Sequence, residues 1–196
     1  MDLNEYQNKA AGTAFYPGRN ATISPDCQHG DMLKCSPIPF PGYVYTLLGL
    51  IGELNEMEMA THETMVCDRE EANKAKAVLV KEIGDVFWYL SQFTMEMGIP
   101  FSNIDSKIEW KIGSFKPTYS CGAICELIKK TIRDNFGNIT PQTKEKVLFE
   151  LRHIYSYLIW FCKIHGTDPN HVMEENIKKL TSRKDRGVLG GSGDER

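Results

Sequence analysis

The chain has 196 residues, 41% of them hydrophobic and 25% charged, with a formal net charge of −3. That length and balance make one large globular domain or two small ones, with enough apolar material for a core. Charges of both signs are mixed along the chain and no run of eighteen apolar residues occurs, which argues against a duplex nucleic-acid partner and against a membrane span.

The polar, acidic opening MDLNEYQNKA is unlike a signal peptide, so a cytoplasmic protein with six reduced cysteines is expected. Residues 3–15 read as a short helix. Residues 16–43 are rich in proline and glycine and read as a long loop, either a structural insertion or a lid over a bound base. The loop carries Arg19, His29, Lys34 and Phe40, among which nothing chooses. Cys27, His29 and Cys35 also lie there, but their spacing fits no zinc pattern, and unrelated loop residues are the simpler reading.

Helical periodicity dominates from Val44 onward. One helix spans 44–64; a second, with Asp68 as its N-cap, runs to about Met97, where Gly98 and Pro100 stop it. A short helix is expected over 102–112, then a break at Gly113, Pro117 and Ser120, then helices near 120–135, 141–165 and 169–183. Cys121 and Cys125 fall one turn apart and suit core packing. The tail RGVLGGSGDER is glycine-rich. Alternating strand patterns are absent, so the fold class is all-α.

The second helical set resembles the first. GLIGEL (49–54) matches GAICEL (122–127), and KEIGDVFWYLSQFTMEMGIP (81–100) matches FELRHIYSYLIWFCKIHGTD (149–168), 68 positions on. Internal duplication explains the shared order of helix, connector, helix and glycine stop. The chain then divides into an N-terminal helix and loop (1–43), a first repeat (44–115), a second repeat (116–185) and the tail (186–196).

Four acids stand out. Glu53 and Glu56 are three apart, as are Glu82 and Asp85, so each pair shares a helix face inside an apolar segment. If the two helices pack antiparallel, four carboxylates converge. Anions so placed repel one another and resist ionisation unless a cation joins them. Hard oxygen ligands suit Mg2+ or Mn2+. The small residues Gly49, Gly52 and Ala60 are read as clearing room for substrate phosphates beside Glu53. Trp88 and Tyr89 read as core.

GLIGELNE followed by KEIGDVFWYL resembles the signature of the MazG-like all-α nucleoside triphosphate pyrophosphohydrolases. The opening NEYQNKAAGTAFYP is similar to that family's leading helix, and NIKKLTSRKDRGVLGGSGDER to its closing helix and tail. The resemblance implies a four-helix-bundle-like fold that cleaves a nucleoside triphosphate, ribo or deoxy, to monophosphate and pyrophosphate. It also implies Mg2+ held by Glu53, Glu56, Glu82 and Asp85, with Mn2+ as a substitute. Glu53 is assigned as the base that takes the water's proton, although the sequence does not single it out. By position, Asn176, Lys179 and Arg183 correspond to the family's closing motif and to nucleotide contacts. A solvated basic helix end is the other reading of those three.

The two repeats have diverged. Lys129 stands where Glu56 does and His153 where Asp85 does, so a second metal site is not expected. Ile108 and Phe115 stand opposite Asn176 and Arg183. The chain is therefore read as a fused pseudo-dimer with one site, the first half holding metal and the second nucleotide. On that partition Lys179→Ala weakens nucleotide binding and leaves metal binding intact. Lys129, Lys130 and Arg133 either face the phosphates or are solvated, and Lys130 is carried as a phosphate contact. Pairing into a homodimer is left open. Two rival functions remain: a non-catalytic nucleotide-binding regulator, and a hydrolase of diphosphates or alarmone-type nucleotides.

Overall fold

The computed structural model describes residues 1–19, 41–68, 70–105 and 108–189. These contain six α-helices, one 3-10 turn and no strand: α1 (Leu3–Ala11), α2 (Gly42–Val66), α3 (Ala72–Glu96), the turn Phe101–Ile104, α4 (Pro117–Asn135), α5 (Pro141–Ile164) and α6 (Pro169–Asp185). The all-α expectation holds. None of these helices is long and apolar enough to cross a membrane. Cys27, His29, Lys34, Cys35 and Phe40 fall outside the described residues, as do residues 190–196 of the tail.

Local chemistry sets most helix starts. Proline occupies the first turn of α4, α5 and α6, where its missing N–H costs nothing. Thr140 and Asp168 cap α5 and α6, accepting from the backbone N–H of Thr143 and Asn170. Asp2 caps α1 through the N–H of Glu5. Asp68 accepts from the N–H groups of Glu70 and Glu71 at 3.0 and 3.1 Å, closing the turn that leads into α3.

Two expected helices come out shorter. The first stops at Ala11, where Gly12 turns back onto Lys9 and Ala10 and the Thr13 hydroxyl donates to the Ala10 carbonyl. The helix expected over 102–112 is only the single turn Phe101–Ile104. Asp105 is extended after it. Trp110 packs against Trp160 and Tyr157, with ring centroids 4.1 and 5.2 Å away, and its indole N–H donates to the Phe115 carbonyl. Docking a tryptophan outweighs the weak propensity of an isolated short helix.

α2 packs along α3, and α4 along α5, as two hairpins. Leu50, Met57, Ile83, Phe87, Leu151 and Ile154 are completely buried between them. Each such side chain contributes about 1.5–3 kcal/mol relative to exposure. α1 and α6 both lie against α3, while the 101–104 turn lies against α5.

Contacts recur at the 68-residue offset. Gly98 (φ +62°) and Gly166 (φ +63°) end α3 and α5 with the same pair of backbone bonds. In each the glycine N–H reaches back three residues and the next N–H reaches back five, a geometry that only glycine adopts cheaply. Lys144 donates to the Gly98 carbonyl, and a side chain placed at Gly166 would come within 4.0 Å of the Lys76 ammonium. Phe87 meets Tyr155, its own counterpart, edge to face at 6.4 Å.

Candidate metal centre

Helical spacing decides which acids face inward. On α2 the buried side carries Leu50, Leu54 and Met57, which leaves Glu53 half-buried at its border and Glu56 exposed. On α3, Ile83, Val86 and Phe87 are buried and turn Glu82 and Asp85 toward α2. Carboxylate oxygens of Glu53, Glu82 and Asp85 all lie within 4.8 Å of one another. Among the described residues this is the one group of three candidate metal ligands that converges so closely. Glu56 lines the same cavity from outside that cluster.

The cavity has a volume of about 500 Å3. Besides the four acids it is bounded by Thr13, Tyr45, Trp88, Tyr89 and Arg183. Burial, and then the charges of Asp85, Glu56 and Glu82, push the Glu53 carboxyl up to about 8, against a smaller opposing pull from Lys179. A group that resists ionisation this way is what crowding anions in a partly dry cleft produces.

Asp85 is held from α6. Asn176 donates its amide N–H to Oδ1 at 2.7 Å, and the Lys179 ammonium spans Oδ1 and Oδ2 at 2.7 and 2.6 Å. Those bonds use the lone pairs of Oδ1 and leave one on Oδ2. Asn176 is 4% exposed. Its own oxygen accepts from the fully buried hydroxyl of Tyr6, on α1, at 3.4 Å. Gly84 makes room for it, since a Cβ there would fall 3.0 Å from the Asn176 Cβ. Gln7 locks α1 in place by donating to the Ser91 and Ile99 carbonyls and the Thr94 hydroxyl while accepting from the Phe101 N–H.

Arg183 is 7% exposed and lines the cavity, so the closing helix brings all three of its expected residues to the acids. Lys130 is elsewhere. It is exposed on α4 and lines a separate cavity with Glu126 and Glu150. There the Lys129 ammonium is paired with Glu126, and the His153 ring lies against Phe149 with Nδ1 3.0 Å from that residue's carbonyl. The positions aligned in sequence with Glu56 and Asp85 are thus taken up by an ion pair and an aromatic contact.

The expected reason for the small residues needs correcting. A Cβ at Gly49 would lie 2.0 Å from the Tyr89 ring, so that glycine exists to seat an aromatic side chain. Ala60 is buried core. Only Gly52 faces open space. Trp88 belongs to the core, as expected, but it also borders the cavity and donates to the Thr13 hydroxyl at 3.1 Å. Sequence reasoning missed Tyr6 and Gln7. Their signal was a pair of polar groups on the apolar side of an N-terminal amphipathic helix.

Over 75 residues the chain is 37% identical to the Gene 37 protein of Mycobacterium phage L5. The match covers 38% of this chain and 66% of that protein, a little under two thirds of the relative's length. No protein-family model and no solved structure matches the chain.

The donor set fits a hard divalent cation. All of its atoms are carboxylate oxygens, and a cation there would offset both causes of the raised Glu53 carboxyl, burial first and the neighbouring acids second.

Proposed function

We propose that the protein hydrolyses nucleoside triphosphates to monophosphate and pyrophosphate with Mg2+ held by Glu53, Glu82 and Asp85, and with Glu56 at the rim. The observation that carries this reading is the convergence of those three carboxylates beside Lys179 and Arg183 of α6. When bound, Mg2+ neutralises phosphate oxygens and acidifies water.

The remaining roles belong to the chain's own side chains. Glu53, half-buried on α2 at the border of the cavity, is assigned as the carboxylate that accepts the proton of the attacking water. Arg183 offers a fork of N–H donors on the cavity wall, matched to phosphate oxygens. Lys179, paired with both oxygens of Asp85, offsets the anionic charge of that carboxylate. Asn176 acts on Asp85, holding its carboxylate in one orientation, where the family resemblance implied a nucleotide contact. Lys130 is left out of the site because it borders another cavity. The recurring contacts at Gly98 and Gly166, and between Phe87 and Tyr155, favour a fused pseudo-dimer in which the second repeat's closing helix completes the first repeat's site.

The test is incubation of the protein and Mg2+ with each common ribo- and deoxynucleotide, with product identification. Pyrophosphate plus monophosphate is expected. Saturable binding with no product would replace the enzyme with a nucleotide sensor, and release of orthophosphate alone would point to another hydrolysis.

A further inference from the structure

The groove between α5 and the segment after the 101–104 turn has a volume of about 960 Å3, and the proposed site does not use it. Its position follows from the 68-residue offset. In the first repeat, α1 is seated on Ser91, Ile99 and Phe101 through Gln7, Tyr6 touches Asn176, and Thr13, just after α1, meets Trp88. The counterparts of Trp88, Ser91, Ile99 and Phe101 are Ser156, Ile159, Thr167 and Pro169, and the counterpart of Asn176 is Ile108. All five line the groove. It is therefore the equivalent, on the second repeat, of the surface that α1 covers on the first.

We infer that this groove is a second helix seat and binds a short, basic, amphipathic helix of a partner polypeptide. A helix is indicated because the groove is lined by the positional counterparts of the residues that hold α1, whose nine residues are about 13 Å long. An apolar face is indicated by Trp110, Trp160 and Ile159, which are only half-buried.

The call for positive charge comes from two differences between the seats. In the first seat Gln7 both donates to carbonyls and accepts from the Phe101 N–H. In the second seat that N–H is lost, since Pro169 has none, while the carbonyls of Ile159 and Thr167 remain. A group that only donates, lysine or arginine, then replaces an amide. The rim carries Asp105, Glu109 and Asp168 against Lys163 alone among its described residues. A second copy of the chain is a poor occupant, because α1 is already seated through the buried Tyr6 and Ala10.

The experiment uses the full chain and a labelled peptide of residues 1–15 made basic by Asp2→Asn, Glu5→Lys and Gln7→Arg, alongside the unaltered peptide. Binding is followed by fluorescence anisotropy and by the indole N–H signals of Trp88, Trp110 and Trp160. The altered peptide is expected to bind saturably with Kd near ~100 µM and about tenfold tighter than the unaltered one. Trp110 and Trp160 signals should shift while Trp88 stays still. Asp105→Lys with Glu109→Lys, both on exposed rim positions, should weaken binding about tenfold. No saturable binding up to ~1 mM, equal binding by the charge-reversed chain, or shifts confined to Trp88 would each overturn the inference. The same Trp110 and Trp160 shifts on simple concentration, without peptide, would make the occupant a second copy and overturn it as well. None of these outcomes depends on nucleotide hydrolysis.

Discussion

The Lys179 ammonium spans both carboxylate oxygens of Asp85, at 2.7 and 2.6 Å, across the contact between α6 and α3. Both side chains are about one-fifth exposed. An ion pair this far from bulk water is coupled to anything else that binds Asp85.

The coupling changes what Lys179→Ala should do. The sequence alone led to the expectation that metal binding would be indifferent to this lysine. With its ammonium on a candidate ligand, removing it takes away a positive charge that opposes a divalent cation. Mn2+ should bind about fivefold tighter to Lys179→Ala, roughly 1 kcal/mol, while nucleotide binding weakens. Titration followed by the Mn2+ magnetic-resonance signal measures the first, and calorimetry with a non-hydrolysable nucleotide the second. Weaker Mn2+ binding would remove the electrostatic argument.

Glu53 makes stability depend on pH in a defined direction. Its carboxyl holds a proton up to about 8 in the folded chain, against 4.5 as its ordinary value. The folded state therefore binds more protons between those limits. Its contribution is complete below pH 4.5 and is lost as pH rises through 8. Metal-free protein should lose stability across that window, with a slope of at most about 1.4 kcal/mol per pH unit, reduced by residual solvent. Denaturant melts in the presence of chelator should show the slope in the parent chain and lose most of it in Glu53→Gln. An unchanged slope in the variant would assign it to other groups.

Tyr6→Phe removes one hydroxyl and leaves the ring packing in place. The Asn176 oxygen loses its donor, at a cost of about 1 kcal/mol in stability. Because Asn176 orients Asp85, Mn2+ affinity should also fall a few-fold. Asn176→Ala should lower it too, and the double variant should be no worse than Asn176→Ala alone. Losses that multiply would show that the two side chains act separately.

Gly49 and Gly122, aligned in the matching segments GLIGEL and GAICEL, should respond oppositely. Gly49→Ala drives a methyl into the Tyr89 ring and should cost about 1–3 kcal/mol. Gly122→Ala meets nothing within 4 Å in the corresponding helix α4, and should stabilise the chain by about 0.5–1 kcal/mol. Thermal melts of the two single variants decide this. Similar shifts would mean that the Tyr89 ring moves aside without cost.

Much of the fold was legible in the chain because its determinants are local. Prolines at 117, 141 and 169, caps at Asp2, Thr140 and Asp168, and glycines at 98 and 166 mark helix ends, whereas Asp68, expected as an N-cap, closes the turn before α3, whose N-cap is Glu71. The acid pairs were legible for the same reason, since positions three apart share a helix face whatever the helix packs against. The 102–112 segment was misread because its conformation depends on where Trp110 docks, and Trp160 lies fifty residues away.

By itself the sequence determined the order of the six helices that form, alongside a seventh expected over 102–112 that does not, the internal similarity at 68 residues and the two acid pairs in apolar surroundings. Only the tertiary structure decided that three of the four acids converge, that Lys179 and Asn176 serve Asp85, that Tyr6 stands behind Asn176, and that Gly49 answers to Tyr89. Periodicity states which way a side chain points along its own helix. Which distant group meets it depends on how helices cross, and that follows from the packing of the whole core.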